Sequence, residues 1–191
     1  YNKIKMVEAD LCDLSGLLRH VKMIRPDIIF HLAAQSYVLT SFNTPVQTIW
    51  TNVIGTVNLL EAVRLSEINP VIHICSSSEV YGQVSEDEVP ITESCPFRPA
   101  SPYAVSKVGE DMVAFQYWVS YKIKTIRTRM FTHTGPRRGD VFAMSFFGKQ
   151  IAAAELGLKE PIIHVGNLKS IRTFCDVRDA VKAYWLLVNK C

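Results

Sequence analysis

The sequence has no glycine-rich G-x-G-x-x-G turn, no C-x-x-C pair, no block of like charge and no apolar run long enough to span a bilayer. The last of these, together with the lack of a signal-peptide pattern, argues against a membrane-spanning or secreted chain. Lys and Arg number 21 against 18 Asp and Glu, a balance of +3, and they are scattered. That distribution does not make a nucleic-acid surface; a few placed arginines suit a small anion better. The five cysteines, Cys12, Cys75, Cys95, Cys175 and Cys191, are odd in number and lack metal-ligand spacing. They read as reduced thiols of a cytoplasmic protein, with no bound metal expected. The five histidines are isolated, and each except His133 reads as a satisfied or solvated side chain.

What is present is a globular composition, 48% hydrophobic over 191 residues, enough for one sizeable core. Short apolar runs alternate with longer amphipathic ones. "IKMVEAD", "PDIIFHLAA", "PVIHICS", "KTIRTRMF" and "PIIHVG" read as strands. "LSGLLRHVKMI", "VQTIWTNVIGTVNLLEAVRLSEI", "SPYAVSKVGEDMVAFQYWVSY", "FAMSFFGKQIAAAEL" and "DVRDAVKAYWLLVNK" read as helices. Strand and helix in turn predict an α/β fold with a parallel sheet, whose ligands bind beyond the carboxyl ends of the strands. Two proline-containing stretches, "EDEVPITESCPFRPASP" and "THTGPRRGDV", read as loops leaving strand ends. A dinucleotide-binding sheet of this kind normally opens on a glycine-rich phosphate turn. Its absence, with a strand expected almost from Tyr1, makes the chain read as the middle of a longer protein.

Two stretches carry chemistry. In "SPYAVSK", Ser101 is a helix N-cap, Pro102 suits the first helical position, and Tyr103 and Lys107 share one face four residues apart. A phenol is a poor base at neutral pH, and a neighbouring ammonium favours its ionised form. Alone, Y-x-x-x-K is commonplace. Its context is "SSSEVYG", which follows the strand "PVIHIC" and brings Ser76, Ser77, Ser78 and Glu79 to the same rim of a parallel sheet. The competing reading of the serines is a local capping cluster.

In order and spacing, "ADL", "FHLAAQS", "TNVIGTVNLLEAV", "SSSEVYG", "SPYAVSK" and "THTGPRRG" resemble the extended short-chain dehydrogenase/reductase family of nucleotide-sugar epimerases, dehydratases and reductases. "LAAQS", "SSSE", "HTGPRRG" and "VGNLKSIRTF" are most similar to its GDP-mannose 4,6-dehydratase branch, with the 4-keto-6-deoxymannose reductases close behind. The resemblance implies a Rossmann-like doubly wound sheet. Residues 1–191 would be the central portion of an NAD(P)-binding domain, with segments around 135–170 contributing to a smaller sugar-nucleotide-binding region. It implies that Asp10 and Leu11 border the adenine, and that Leu32, Ala33, Ala34, Gln35 and Ser36 line the cofactor's ribose and pyrophosphate. Ser77, Glu79, Tyr103 and Lys107 would be catalytic, the last two also touching cofactor, as would His133 and Arg138. Ser78, Arg137 and Arg172 would meet the substrate, Arg172 at the diphosphate, for which a guanidinium fork is suited.

The implied activity is dehydration of GDP-mannose with NADP or NAD, in a cytoplasmic homodimer or homotetramer. A 4-keto reductase or another epimerase, and an inactive fragment or binding module, stand as alternatives. The chain departs from the family pattern at Thr132 (usually Asn), Thr173 (usually Asp) and Gln47 (Tyr in the dehydratases).

Overall fold

A computed structural model of the chain describes residues 4–190; Cys191 and the residues around Tyr1 lie outside it. The elements run α1 (Leu14–Ile24), β1 (Ile28–His31), α2 (Val38–Asn43), α3 (Pro45–Ile49), a π-helical turn (Trp50–Ile54) and α4 (Gly55–Leu65). There follow β2 (Val71–Cys75), α5 (Pro102–Tyr121), β3 (Thr125–Thr128), β4 (Thr132–Thr134), α6 (Ala143–Glu155), β5 (Phe174–Asp176) and α7 (Val177–Lys190). They form two compact units, one reaching to Met130 with the end of α7 from Leu186, the other Phe131–Trp185.

In the first unit β1, β2 and β3 make a parallel sheet in that order, with Ile28 opposite Val71 and Ile72 opposite Thr125. The core is built by amphipathic spacing. Leu17 and Val21 of α1, Leu60, Ala62 and Val63 of α4, and Ala114 and Tyr117 of α5 close over Ile72 and Ile74 of β2. Three of the five β2 residues are buried, including the consecutive trio Ile72–Ile74, as in a strand covered on both faces. Because the strands are parallel and in register, His31, Cys75 and Thr128 end at one rim. Every segment that follows these strands leaves from there.

The second unit carries a two-stranded parallel sheet, with Thr132, His133 and Thr134 opposite Phe174, Cys175 and Asp176.

Several expectations need correction. "IKMVEAD" is not a strand: Ile4 and Met6 are exposed and no described segment forms a ladder with it. "PIIHVG" is not one either. The amide of Gln150 instead brackets the His164 backbone, accepting from its N–H (2.8 Å) and donating to its carbonyl (3.0 Å). The long helix predicted from Val46 is continuous in path but passes through the π turn, and α2 precedes it unforeseen. "THTGPRRGDV" opens on β4 rather than lying wholly in a loop.

Candidate functional site

Beyond β2 the chain enters the serine stretch in extended form, Ser77 lying at φ −154°, ψ 150°. Its hydroxyl accepts the Glu79 N–H (3.2 Å) and so caps the short 3₁₀ turn Ser78–Tyr81. The Ser76 hydroxyl donates to the Lys107 carbonyl (3.2 Å), and the Ser78 N–H donates to the Met130 carbonyl (3.0 Å), tying the turn to the exit of β3. Glu79 is exposed. The turn closes on Gly82 at φ +63°, where a Cβ would sit 1.9 Å from the Arg98 carbonyl oxygen, so only glycine fits.

The α5 helix starts as its sequence predicts, the Ser101 hydroxyl accepting the Ala104 N–H (3.0 Å) with Pro102 in the first turn. Its buried face comprises Tyr103, Ser106, Lys107, Glu110, Asp111, Ala114 and Tyr117, an i, i+3, i+4 stripe. The Lys107 ammonium donates to the Cys75 carbonyl (2.9 Å) and to Glu110 Oε2 (3.0 Å), and stands 5.8 Å from the centre of the Tyr103 ring. Burial pushes the Tyr103 phenol above its ordinary range, while Lys107 and the nearby Ser77 hydroxyl pull it down. The pull of Lys107 is thus in the direction expected from the sequence, and burial outweighs it.

A buried amide that sequence reasoning passed over links this helix to the β1 exit. Asn52, fully buried in the π turn, donates to the Gln35 carbonyl (3.0 Å) and the Ser106 hydroxyl (2.8 Å) and accepts the Gln35 N–H (2.8 Å). Ser106 donates in turn to the Tyr103 carbonyl (2.7 Å). Thr56 donates to the Asn52 carbonyl (2.6 Å) and meets His31 Nε2 (2.9 Å). His31 is pushed down to about 4, first by burial and then by the charge of Lys107. The available signal was Asn52 itself, an amide between the apolar pairs Ile49–Trp50 and Val53–Ile54.

Five of the residues expected around the cofactor, Asp10, Leu11, Ala33, Ala34 and Gln35, line one cavity of about 740 Å³, together with Glu8, Ala9, Asp13 and Thr51. That volume lies within the range of small-molecule sites. Leu32 and Ser36 are exposed and do not line it. The cavity opens beside the β1 exit, where a parallel sheet receives a nucleotide, so the residues present fit such a group. Asp10 accepts the Cys12 N–H (2.8 Å), and Asn58 holds the Leu11 carbonyl (2.8 Å), so this wall is ordered by its own bonds.

His133, Arg137, Arg138 and Arg172 belong to the second unit. His133 sits mid-strand in β4, half-buried. Arg138 donates to its carbonyl and stacks 4.0 Å over the Phe142 ring. Arg137 is exposed with φ +72°, and Arg172 is exposed two residues before β5. The structure therefore brings together Ser77, Tyr103 and Lys107 in one unit, and His133 with Arg138 in the other.

A family model described as GDP-mannose 4,6 dehydratase matches residues 1–191. A GDP-mannose 4,6-dehydratase of Yersinia enterocolitica is 39% identical over 183 residues, 95% of this chain and 48% of that protein. A GDP-6-deoxy-D-mannose reductase of Pseudomonas aeruginosa is 36% identical over 164 residues, 86% of this chain and 54% of that protein. The solved structure of RMD from Pseudomonas aeruginosa complexed with NADPH aligns with a TM-score of 0.92 at 34% identity, covering 96% of this chain and 62% of that one. The chain spans about half the length of the curated relatives it matches. With these neighbours, the parallel sheet and its helices are of Rossmann type, as the strand–helix alternation predicts.

Proposed function

Since the chain belongs to the GDP-mannose 4,6-dehydratase family, we propose that the complete protein is a lyase that converts GDP-mannose to GDP-4-keto-6-deoxymannose with NADP or NAD. The observation that carries this reading is the grouping of Ser77, Tyr103 and Lys107 at the strand-end rim, with a solvent-facing carboxylate, Glu79, two residues beyond Ser77.

Asp10, Leu11, Ala33, Ala34 and Gln35 would hold the dinucleotide along their cavity. When bound, the cofactor would supply hydride acceptance and return, so that oxidation at C4 and reduction at C6 of the sugar balance without net oxidation. Tyr103, as phenolate, takes the proton of the C4 hydroxyl, and Ser77 hydrogen-bonds the same oxygen. Lys107 supplies the positive charge that opposes the effect of burial on the phenol. The C4 ketone acidifies C5–H, whose proton Glu79 removes and passes to the C6 hydroxyl, which departs as water; the proton taken by Tyr103 balances the one restored to C5 when C6 is reduced. Each positioned acid or base of this kind contributes ~10²–10⁴ in rate. By the family resemblance, Ser78, Arg137 and Arg172 would meet the substrate, Arg172 at its diphosphate, and His133 and Arg138 would be cofactor residues.

A cytoplasmic location is the proposed one, on the odd number and scattered spacing of the cysteines in the sequence; among the described residues no helix is long and apolar enough to cross a membrane. A homodimer or homotetramer is the proposed assembly, supported by an apolar stripe left exposed on α5 at Val105, Met112, Phe115 and Val119.

The test is Glu79→Gln in the complete protein, incubated with oxidised cofactor and GDP-mannose. Oxidation at C4 needs only Ser77, Tyr103 and Lys107, so reduced nicotinamide absorbance accumulates while elimination stalls. Release of 4-keto-6-deoxy product at the wild-type rate removes Glu79 from the role. The likeness to the Pseudomonas reductase supports a second reading, a 4-keto reductase. That enzyme consumes one reduced cofactor per turnover, whereas a dehydratase consumes none.

A further inference from the structure

The mechanism leaves unused one buried acid that touches its machinery. Glu110 lies one helical turn beyond Lys107 on the hidden face of α5 and is 1% exposed; Lys107 is 5% exposed. Glu110 Oε2 takes the Lys107 ammonium at 3.0 Å, in a pair closed to solvent, while its Oε1 has no hydrogen-bond partner. A carboxylate with one oxygen orphaned in the interior is expensive to keep ionised, and the ammonium alone offsets that.

Among the described residues, the surroundings offer no second cation to it. Asp111, next along the helix, is engaged by Arg127 (2.7 Å) and Arg129 (2.8 Å) and adds a negative charge of its own. The segments α2, α3 and the π turn, all packed on α5, contain no charged residue. On α4, Glu61 and Arg64 are paired with each other (2.6 Å). His31 and His73 on the sheet are held neutral by burial, the Cys75 carbonyl shares Lys107, and Glu79 is exposed on its turn.

We infer that Glu110 is a positioning residue of the Tyr103–Lys107 pair: ionised, it holds the ammonium between its own carboxylate and the Cys75 carbonyl and offsets that ammonium's pull on the phenol; protonated, it lifts the offset. This rests on the reading of Tyr103 as the base. Burial pushes Glu110 up to about 7, so the change falls near neutral pH. The direction follows from charge. The Glu110 carboxylate raises the phenol's pKa, so its protonation makes the phenolate easier to form as the solution turns acidic. The acidic limb of the activity profile is thereby broadened.

The experiment uses the complete protein with its nicotinamide cofactor bound and its tyrosines labelled with ¹³C at Cζ, the Tyr103 signal being assigned by Tyr103→Phe. In wild type, the Tyr103 resonance moves through an inflection near pH 7, below the titration of the phenol itself. Glu110→Gln keeps the shape and an acceptor for Lys107 but removes the charge. The inflection disappears, the phenol titrates lower by about one pH unit, and the acidic limb of kcat/KM moves down with it and steepens. An unchanged Tyr103 titration in a folded Glu110→Gln protein overturns the inference. If that variant does not fold, the absence of an inflection near pH 7 in wild type overturns it equally. Failure of the base reading is separate: Tyr103→Phe that keeps turnover defeats it, whatever the Tyr103 resonance of wild type does.

Discussion

Asp111 is a fully buried carboxylate paired with two arginines, and Asp111→Asn tests what it holds. The carboxylate is fully buried, with Arg127 Nη1 at 2.7 Å on one oxygen and Arg129 Nε at 2.8 Å on the other, Arg129 Nη2 adding a third bond at 3.1 Å. Arg129 spends its remaining donor on the Tyr81 hydroxyl (3.1 Å) and the Glu93 carbonyl (3.0 Å), with its guanidinium 4.6 Å from the centre of the Phe97 ring. Neutralising Asp111 leaves Arg129, whose side chain is 13% exposed, without its counter-charge. Breaking one side of a buried pair costs about 3–5 kcal/mol. Arg127 keeps 27% of its side-chain surface and can rehydrate, so the lower end, about 3 kcal/mol, applies. At an m-value of ~2–3 kcal/mol/M the urea midpoint of the complete protein, read by tryptophan fluorescence, falls by about 1–1.5 M. Because Tyr81 ends the turn that carries Glu79, turnover per folded molecule falls as well. The double variant with Arg129→Gln then costs less than the sum of the two single changes, since the second removes the cation that the first orphaned. A midpoint shift below ~0.3 M, or strict additivity, refutes the reasoning.

Two further outcomes follow from the same geometry. Tyr103→Phe in the complete protein lowers kcat by ~10²-fold or more while leaving the unfolding free energy within a few tenths of a kcal/mol, because only the hydroxyl is lost; near-normal turnover in a folded variant removes the proposed base. Acidification destabilises the chain through His31 and His73, both held down to about 4 by burial. The unfolded chain binds their protons first, so this stability is complete above roughly pH 6.5 and is lost as the pH falls toward about 4. Glu110, raised to about 7, acts in the opposite sense over part of that window and reduces the slope without reversing it. Thermal midpoints that stay flat between these pH values count against the burial of both rings.

What was legible in the sequence is what local spacing determines. Helices α1 and α5 begin and end where the apolar period and the Ser101–Pro102 start put them, and Tyr103 with Lys107 share a face for the same reason. Strands β1, β2 and β3 form inside their predicted runs but shorter, since a ladder lasts only as long as its neighbour does. Apolar content alone misled at residues 4–10 and 161–166, because a strand is a pairing and neither segment has a partner strand among the described residues. The converse error is β4. Thr132–Thr134 is polar and reads as loop, yet it pairs with β5, forty residues away. Asn52, Ser106 and Glu110 escaped because each acts through a contact that no spacing rule reveals: Asn52 meets Ser106 across 54 positions, and Glu110 acquires its character only from the burial of α5.

The serine stretch shows why two readings of one motif need not exclude each other. A hydroxyl has one donor and two acceptor positions. Ser77 uses an acceptor position for the Glu79 N–H and thereby fixes the turn on which that carboxylate stands. Its O–H is left to donate, and the hydroxyl lies near enough to Tyr103 to favour the phenolate. Capping therefore sets the direction of the donor rather than consuming it. The same oxygen determines how far the proposed C5 base stands from the proposed C4 base, so lengthening or removing the Ser77 side chain would disturb both proton transfers at once. That coupling is a physical reason for a serine, rather than any helix-capping residue, where strand β2 gives way to its turn.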